Sequence, residues 1–225
     1  MSETENRRPL ASRNTGWAHT LTRWLAATGV TPNQISMASM GFAAFAGLAF
    51  WQAGAADGAA RLVFLALGGL FVQCRLLCNL LDGMVAVEAG KGTPDGAFWN
   101  EFPDRVADIA ILVGVGYGVG LPALGWAAAG FAVLTAYVRE LGRACGALAD
   151  FSGPMAKPHR MAAITAAAAL SLFEPLWNGR GDVLTVALWI VAFGTALTAL
   201  RRSVRLVKAL RGQAGAVSRH HQSEP

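Results

Sequence analysis

Asn79-Leu80-Leu81-Asp82-Gly83-Met84-Val85-Ala86, then Gly96-Ala97-Phe98-Trp99-Asn100-Glu101-Phe102-Pro103-Asp104-Arg105, with Asp108 one turn further on, decides how this chain is read. Six of the 14 Asp and Glu residues, Asp82, Glu88, Asp95, Glu101, Asp104 and Asp108, fall between positions 82 and 108. Asn79 and Asp82 are three apart, and Asn100, Asp104 and Asp108 step by four. If both flanks are helical, each set shares one face. Acidic groups in apolar helices are expensive, and their default interpretation is a functional site. Two facing rows of oxygen donors suit a hard cation, Mg²⁺ or Mn²⁺. Gly83 and Gly96 are expected to let the two helix ends approach closely.

The surroundings are apolar. Of 225 residues, 54% are hydrophobic and 15% charged, whereas soluble domains carry about a quarter charged residues. Six apolar segments stand out, at Ile35–Trp51, Arg61–Leu81, Phe98–Leu121, Leu124–Leu148, Met161–Trp177 and Val183–Leu200. Each is about long enough for a hydrocarbon core of roughly 30 Å, and none alternates with the period of two that a membrane strand needs. The expected fold is therefore all-α: one polytopic membrane domain over residues 1–225 with six transmembrane helices. The polar ends, residues 1–13 and 212–225, are expected to lack fixed structure.

Charge placement orients the chain. With a cytoplasmic N-terminus, only Arg61 and Arg180, two of 19 Lys and Arg, lie at or beside the outer connections. The positive-inside rule then gives an inner-membrane protein with both termini and the acidic stretch on the cytoplasmic side. It also accounts for the net charge of +5 without nucleic acid. Ahead of the first segment, Trp17, Leu21, Trp24 and Leu25 share a helical face, either in the membrane interface or packed on the bundle. Thr31-Pro32-Asn33 breaks the chain after it. Arg201, Arg202, Arg205, Lys208 and Arg211 form a basic helix end suited to anionic lipid headgroups. Cys74, Cys78 and Cys145 fit ordinary packing better than a disulfide framework or a zinc site.

The quoted stretch resembles the signature of the CDP-alcohol phosphotransferases, D-x-x-D-G-x-x-A-R, about eight residues, then G-x-x-x-D-x-x-x-D. Eight residues separate Val87 from Gly96, as the pattern requires. The second and fourth aspartates are kept as Asp82 and Asp104. The first and third are Asn79 and Asn100, and the arginine is Val87, a pairing similar to a variant branch of the family. The resemblance implies transfer of a phosphatidyl group from CDP-diacylglycerol to an alcohol, with release of CMP. It implies Asn79, Asp82, Asn100 and Asp104 as metal ligands and Asp104 as the catalytic base. Glu101 and Asp108 are further candidates as ligands or as acceptors behind them. Gly83, Ala86 and Gly96 would give the CDP-lipid headgroup room, and Arg139, Arg143, Lys157 and Arg160 would hold the phosphate of an acceptor such as glycerol 3-phosphate or an inositol phosphate. Two amides in place of two carboxylates lower the site's charge, which points to weaker metal binding and leaves one ion or two open. They also leave a second class of function open, a catalytically degenerate lipid-binding scaffold. Overlapping G-x-x-x-G spacings at Gly114, Gly116, Gly118 and Gly120 permit close helix packing within the chain or between copies, and the resemblance implies a homodimer.

Overall fold

A computed structural model describes residues 15–88, 90 and 93–221. Among these the regular structure is all helix: α1 (Gly16–Ala27), α2 (Pro32–Ala55), α3 (Gly58–Glu88), α4 (Gly96–Gly118), α5 (Pro122–Ala144), α6 (Lys157–Ser171), a short 3-10 helix (Glu174–Trp177) and α7 (Asp182–His221). Three stretches, Pro32–Ala55, Gly58–Val87 and Asp182–Gly212, are long and apolar enough to cross a membrane. The expected third and fourth segments become α4 and α5, 23 residues each. The fifth is divided, because the 15 residues of α6 end at Ser171 and the chain tightens into the 3-10 turn. The sixth runs well past Leu200, and α7 continues helical through His221, where the sequence pointed to unstructured chain from Gly212. The other expected tail, residues 1–13, lies outside the described residues.

Thr31-Pro32 works as a helix start. The Thr31 hydroxyl accepts from the Gln34 N–H at 3.2 Å while the Gln34 side chain accepts from the Thr31 N–H at 2.9 Å, a capping box with proline in the first turn. The face expected on α1 divides. Leu21 and Leu25 pack with Ile35, Leu81 and Val85, while Trp17 and Trp24 stay exposed. Thr22, off that face by sequence, is buried against Met84. The packed reading of α1 holds for Leu21 and Leu25, while Trp17 and Trp24 remain exposed.

The core is small-residue packing. Ala43, Ala46, Phe50, Val72, Ala107 and Ile111 belong to one buried cluster shared by α2, α3 and α4. At its centre α2 and α4 touch backbone to backbone. A Cβ on Gly114 would lie 2.3 Å from the Gly47 carbonyl oxygen, and one on Gly54 would lie 2.2 Å from that of Gly118. Gly116 meets Gly125 of α5 in the same way. Gly114, Gly116 and Gly118 are therefore used inside the chain, whereas Gly120 meets nothing within 4 Å. Gly114→Ala is expected to cost about 1–3 kcal/mol by overpacking, read as a lower Tm in detergent. Elsewhere the helices turn large apolar side chains outward, among them Phe45, Leu48, Leu70, Trp126, Ile190 and Phe193.

One end of the bundle is sealed by a buried ion pair. Arg61 donates to the Ala53 carbonyl at 2.8 Å and to Glu174 at 2.9 Å. Glu174, 1% exposed, also accepts from the N–H groups of Gly181 and Val183, which ties the 3-10 turn to the start of α7. The opposite end holds the start of α2, the end of α3, the starts of α4 and α6, and the end of α5. The acidic stretch lies there.

Candidate functional site

Arg75, three residues before Cys78 in α3, is fully buried and donates to Asp104 Oδ1 at 2.7 Å. Its Nε and the other terminal nitrogen have no hydrogen-bond partner. The second Asp104 oxygen receives the Lys157 ammonium, which also reaches Asn79 Oδ1, and Arg105 stands 3.7 Å from it. Asn79 and Asp104, from α3 and α4, thus converge on one cationic nitrogen supplied by the first residue of α6. Asp82 lies within electrostatic range of Asp104 and Lys157. Its carboxylate accepts from the Ser36 hydroxyl at 2.7 Å and from the Gly83 N–H at 2.6 Å, so α2 also contributes to the centre.

Asp108, one turn deeper, is fully buried and accepts from Arg160 at 2.6 Å, leaving Asp108 Oδ1 without a partner. Arg160 also donates to the Met155 carbonyl at 3.0 Å. Two expected ligands stand apart from this group. Asn100 is exposed and makes no hydrogen bond to the cluster among the described residues. Glu101 is held by Arg139. The reason is the geometry of the helix ends: α3 and α4 touch only lightly, and only the second turn of α4 and beyond is buried between neighbours. Close approach at Gly96 is likewise not found. A Cβ there would meet nothing nearer than the Thr93 hydroxyl at 3.8 Å. Ahead of α4, hydrogen bonds from the Thr93 hydroxyl and the Trp99 indole hold the exposed Asp95 carboxyl below the usual carboxylate range.

The four expected phosphate-binding residues separate into two places. Lys157 and Arg160, three apart on α6, face the aspartates. Arg139 packs over the Phe151 ring and pairs with Glu140, which also takes Arg143 at 3.0 Å. Arg139 lines a cavity of about 280 Å³ with Asp150, Arg202 and Arg205; Arg143 does not. Of the residues assigned from sequence to lipid headgroups, Arg202 turns inward and donates to the Ser152 and Thr135 carbonyls, whereas Arg205 borders the cavity with its side chain exposed. Partial burial raises the Asp150 carboxyl, but the Ser152 hydroxyl and N–H and then Arg205 bring it below its ordinary value.

Chemically, the centre offers amide and carboxylate oxygens from two helices around a point already chosen by a cation. That donor set fits a hard divalent ion. Among the described residues no three His, Cys, Asp or Glu side chains group together as a metal site; the fit rests on the Asn79 amide with Asp82 and Asp104, while Glu101 and Asp108 are committed to Arg139 and Arg160.

No protein-family model matches the chain. It is 29% identical over 203 residues to a phosphatidylinositol phosphate synthase of Mycolicibacterium smegmatis, covering 86% of this chain and 83% of that protein. It is 31% identical over 146 residues to the phosphatidylinositol phosphate synthase of Mycobacteroides abscessus, covering 60% of this chain and 62% of that one. Over 193 residues it is 28% identical to the inner membrane protein YnbA of Escherichia coli, covering 83% and 90%. Among solved structures it resembles the phosphatidylinositol phosphate synthase of Mycobacterium tuberculosis. The complex with manganese and citrate gives a TM-score of 0.71 at 22% identity, covering 84% of this chain and 88% of that one. The form with CDP-DAG bound gives 0.70, also at 22% identity, covering 84% and 92%. The chain shares the fold of that synthase.

Proposed function

We propose that the chain is a CDP-alcohol phosphatidyltransferase that moves a phosphatidyl group from CDP-diacylglycerol to an alcohol and releases CMP. The observation that carries this is the convergence of Asn79 and Asp104 on one cation, beside Asp82, at the ends of two apolar helices. The names of the two mycobacterial relatives, and the manganese and CDP-DAG of the similar structure, support it. Six membrane crossings, both termini on the cytoplasmic side and an inner-membrane location are the arrangement proposed, on the charge asymmetry and the outward apolar side chains. The homodimer implied by the resemblance is kept as the proposed assembly, although the glycines that would have supported it are used within the chain.

Asn79, Asp82 and Asp104 would hold a single Mg²⁺ or Mn²⁺. Bound there, it supplies positive charge that offsets the pyrophosphate and makes CMP a competent leaving group. Asp104 accepts the proton of the acceptor hydroxyl, whose oxygen attacks the phosphatidyl phosphorus as the P–O bond to CMP breaks. Arg75 fixes the Asp104 carboxylate through Oδ1, while Oδ2, which holds the Lys157 ammonium, is the oxygen on the side of Asn79. Gly83, Ala86 and Gly96 would leave room for the cytidine headgroup. The acceptor phosphate is assigned to the cavity of Arg139, Arg202 and Arg205, where guanidinium forks suit it. The relatives' names favour an inositol phosphate over glycerol 3-phosphate.

The test is CMP release from CDP-diacylglycerol by purified protein with Mg²⁺ or Mn²⁺ and a panel of phosphorylated and neutral polyols. No metal-dependent release with any acceptor would favour the lipid-binding scaffold. Arg205→Ala is expected to raise KM for a phosphorylated acceptor about tenfold, the loss of one charge-assisted hydrogen bond. Arg143→Ala, outside the cavity, should change it less than about twofold. Equal effects of the two would remove the cavity from acceptor binding.

A further inference from the structure

We infer that Lys157 is a tethered cation that competes with the divalent ion for Asn79 Oδ1 and Asp104 Oδ2, so that the metal binds fully only when a diphosphate anion draws the ammonium away. The inference rests on the transferase reading and concerns how its metal site is filled.

Three observations carry it. The Lys157 ammonium touches both oxygens at once, at the spot where the donors of α3 and α4 meet. A metal ion and an ammonium cannot share that position. The charges point the same way. Asp82 and Asp104 supply two negative charges while Asn79 supplies none, and the buried Arg75 already answers one of them. Adding a divalent ion with Lys157 in place would leave the centre strongly positive. Lastly, Lys157 has a way out. Arg75 and Arg160 are sealed at 0% and 1% side-chain exposure, whereas Lys157 is 21% exposed. Its backbone is fixed at the first turn of α6 by extended Ala156 and by Pro158, but its four-carbon stem is free to swing. The pyrophosphate of a CDP-lipid would enter beside it as the natural counter-anion. The amide at Asn79 then has a purpose: it weakens the hold on the metal until substrate arrives.

The test is Mn²⁺ binding followed by electron paramagnetic resonance on the full chain in detergent, without nucleotide and with CDP, for wild type, Lys157→Met and Lys157→Arg. Without CDP, Lys157→Met should bind Mn²⁺ about tenfold or more tighter than wild type, as expected for removing a unit charge a few ångströms from the ion. Lys157→Arg should stay near wild type. CDP should tighten Mn²⁺ binding to wild type and change Lys157→Met little. Unchanged or weaker Mn²⁺ binding by a folded Lys157→Met, or no binding by any of the three proteins, overturns the proposal. CMP release assayed in parallel separates the two ideas. Release by wild type with no Mn²⁺ shift in Lys157→Met removes only the role of Lys157. A Mn²⁺ shift without CMP release from any acceptor leaves the competition standing and removes the transferase.

Discussion

Asp104→Asn is expected to lower metal-dependent CMP release by about 1000-fold or more, within the range for loss of a positioned base. The substitution keeps size and shape but removes the proton acceptor and one of the two charges of the centre. It also acts on the fold. Arg75 is fully buried and forms no salt bridge besides that to Asp104 among the described residues, so neutralising Asp104 leaves its guanidinium without a paired carboxylate. Removing one member of a buried pair costs about 3–5 kcal/mol, so a lower Tm should accompany the loss of turnover. The rate must therefore be normalised to folded protein, measured by size exclusion and by retained CDP-dependent thermal shift. Folded Asp104→Asn working within tenfold of wild type would deny Asp104 any part in proton transfer.

Asp108→Leu is expected to be among the most destabilising single changes, about 3–5 kcal/mol, without removing any group assigned to the reaction. Asp108 and Arg160 are buried together 2.6 Å apart, and the arginine's remaining contact is the Met155 carbonyl. Leucine leaves Arg160 charged, buried and unpaired. Asp108→Leu/Arg160→Met removes both charges and should recover most of the lost Tm, because matched apolar replacement of a buried pair is often neutral or better. If the single and double variants melt alike, the two residues are not coupled and Asp108 matters for another reason.

Much of this site was legible before any coordinates. The three-and-four spacing of Asn79, Asp82, Asp104 and Asp108 in apolar helices is a local signal, and helical geometry alone carries it onto one face. Asn79 and Asp104 meet at the Lys157 ammonium, and Asp82 stays within electrostatic range of them. Spacing could not reveal which residues other helices bring in. Ser36 from α2 looks like any small residue in an apolar run. Lys157 and Arg160 were assigned to a substrate phosphate because the turn of α6 toward α3 is a tertiary fact. Arg75 had a readable signal, a lone arginine inside an apolar segment one turn before Asn79. Asn100 and Gly96 failed for the opposite reason: periodicity put them in line, but the first turn of α4 stands clear of α3. The end of α6 was misjudged because apolar residues continue on both sides of Glu174, whose carboxylate accepts from the N–H groups of Gly181 and Val183 and ties the 3-10 turn to the start of α7.

The seam of bare backbone between Gly47 and Gly114, and between Gly54 and Gly118, divides the molecule's tolerance for change very unevenly. Outward positions such as Leu48 or Phe193 accept nearly any greasy replacement, since lipid conforms to whatever it meets. At the seam the carbonyls of one rod lie where a methyl of the other would have to go, and no repacking of side chains makes room. A saturation library scored for surviving protein should thus show one narrow line of intolerance running lengthwise through α2 and α4, independent of the chemistry at their ends.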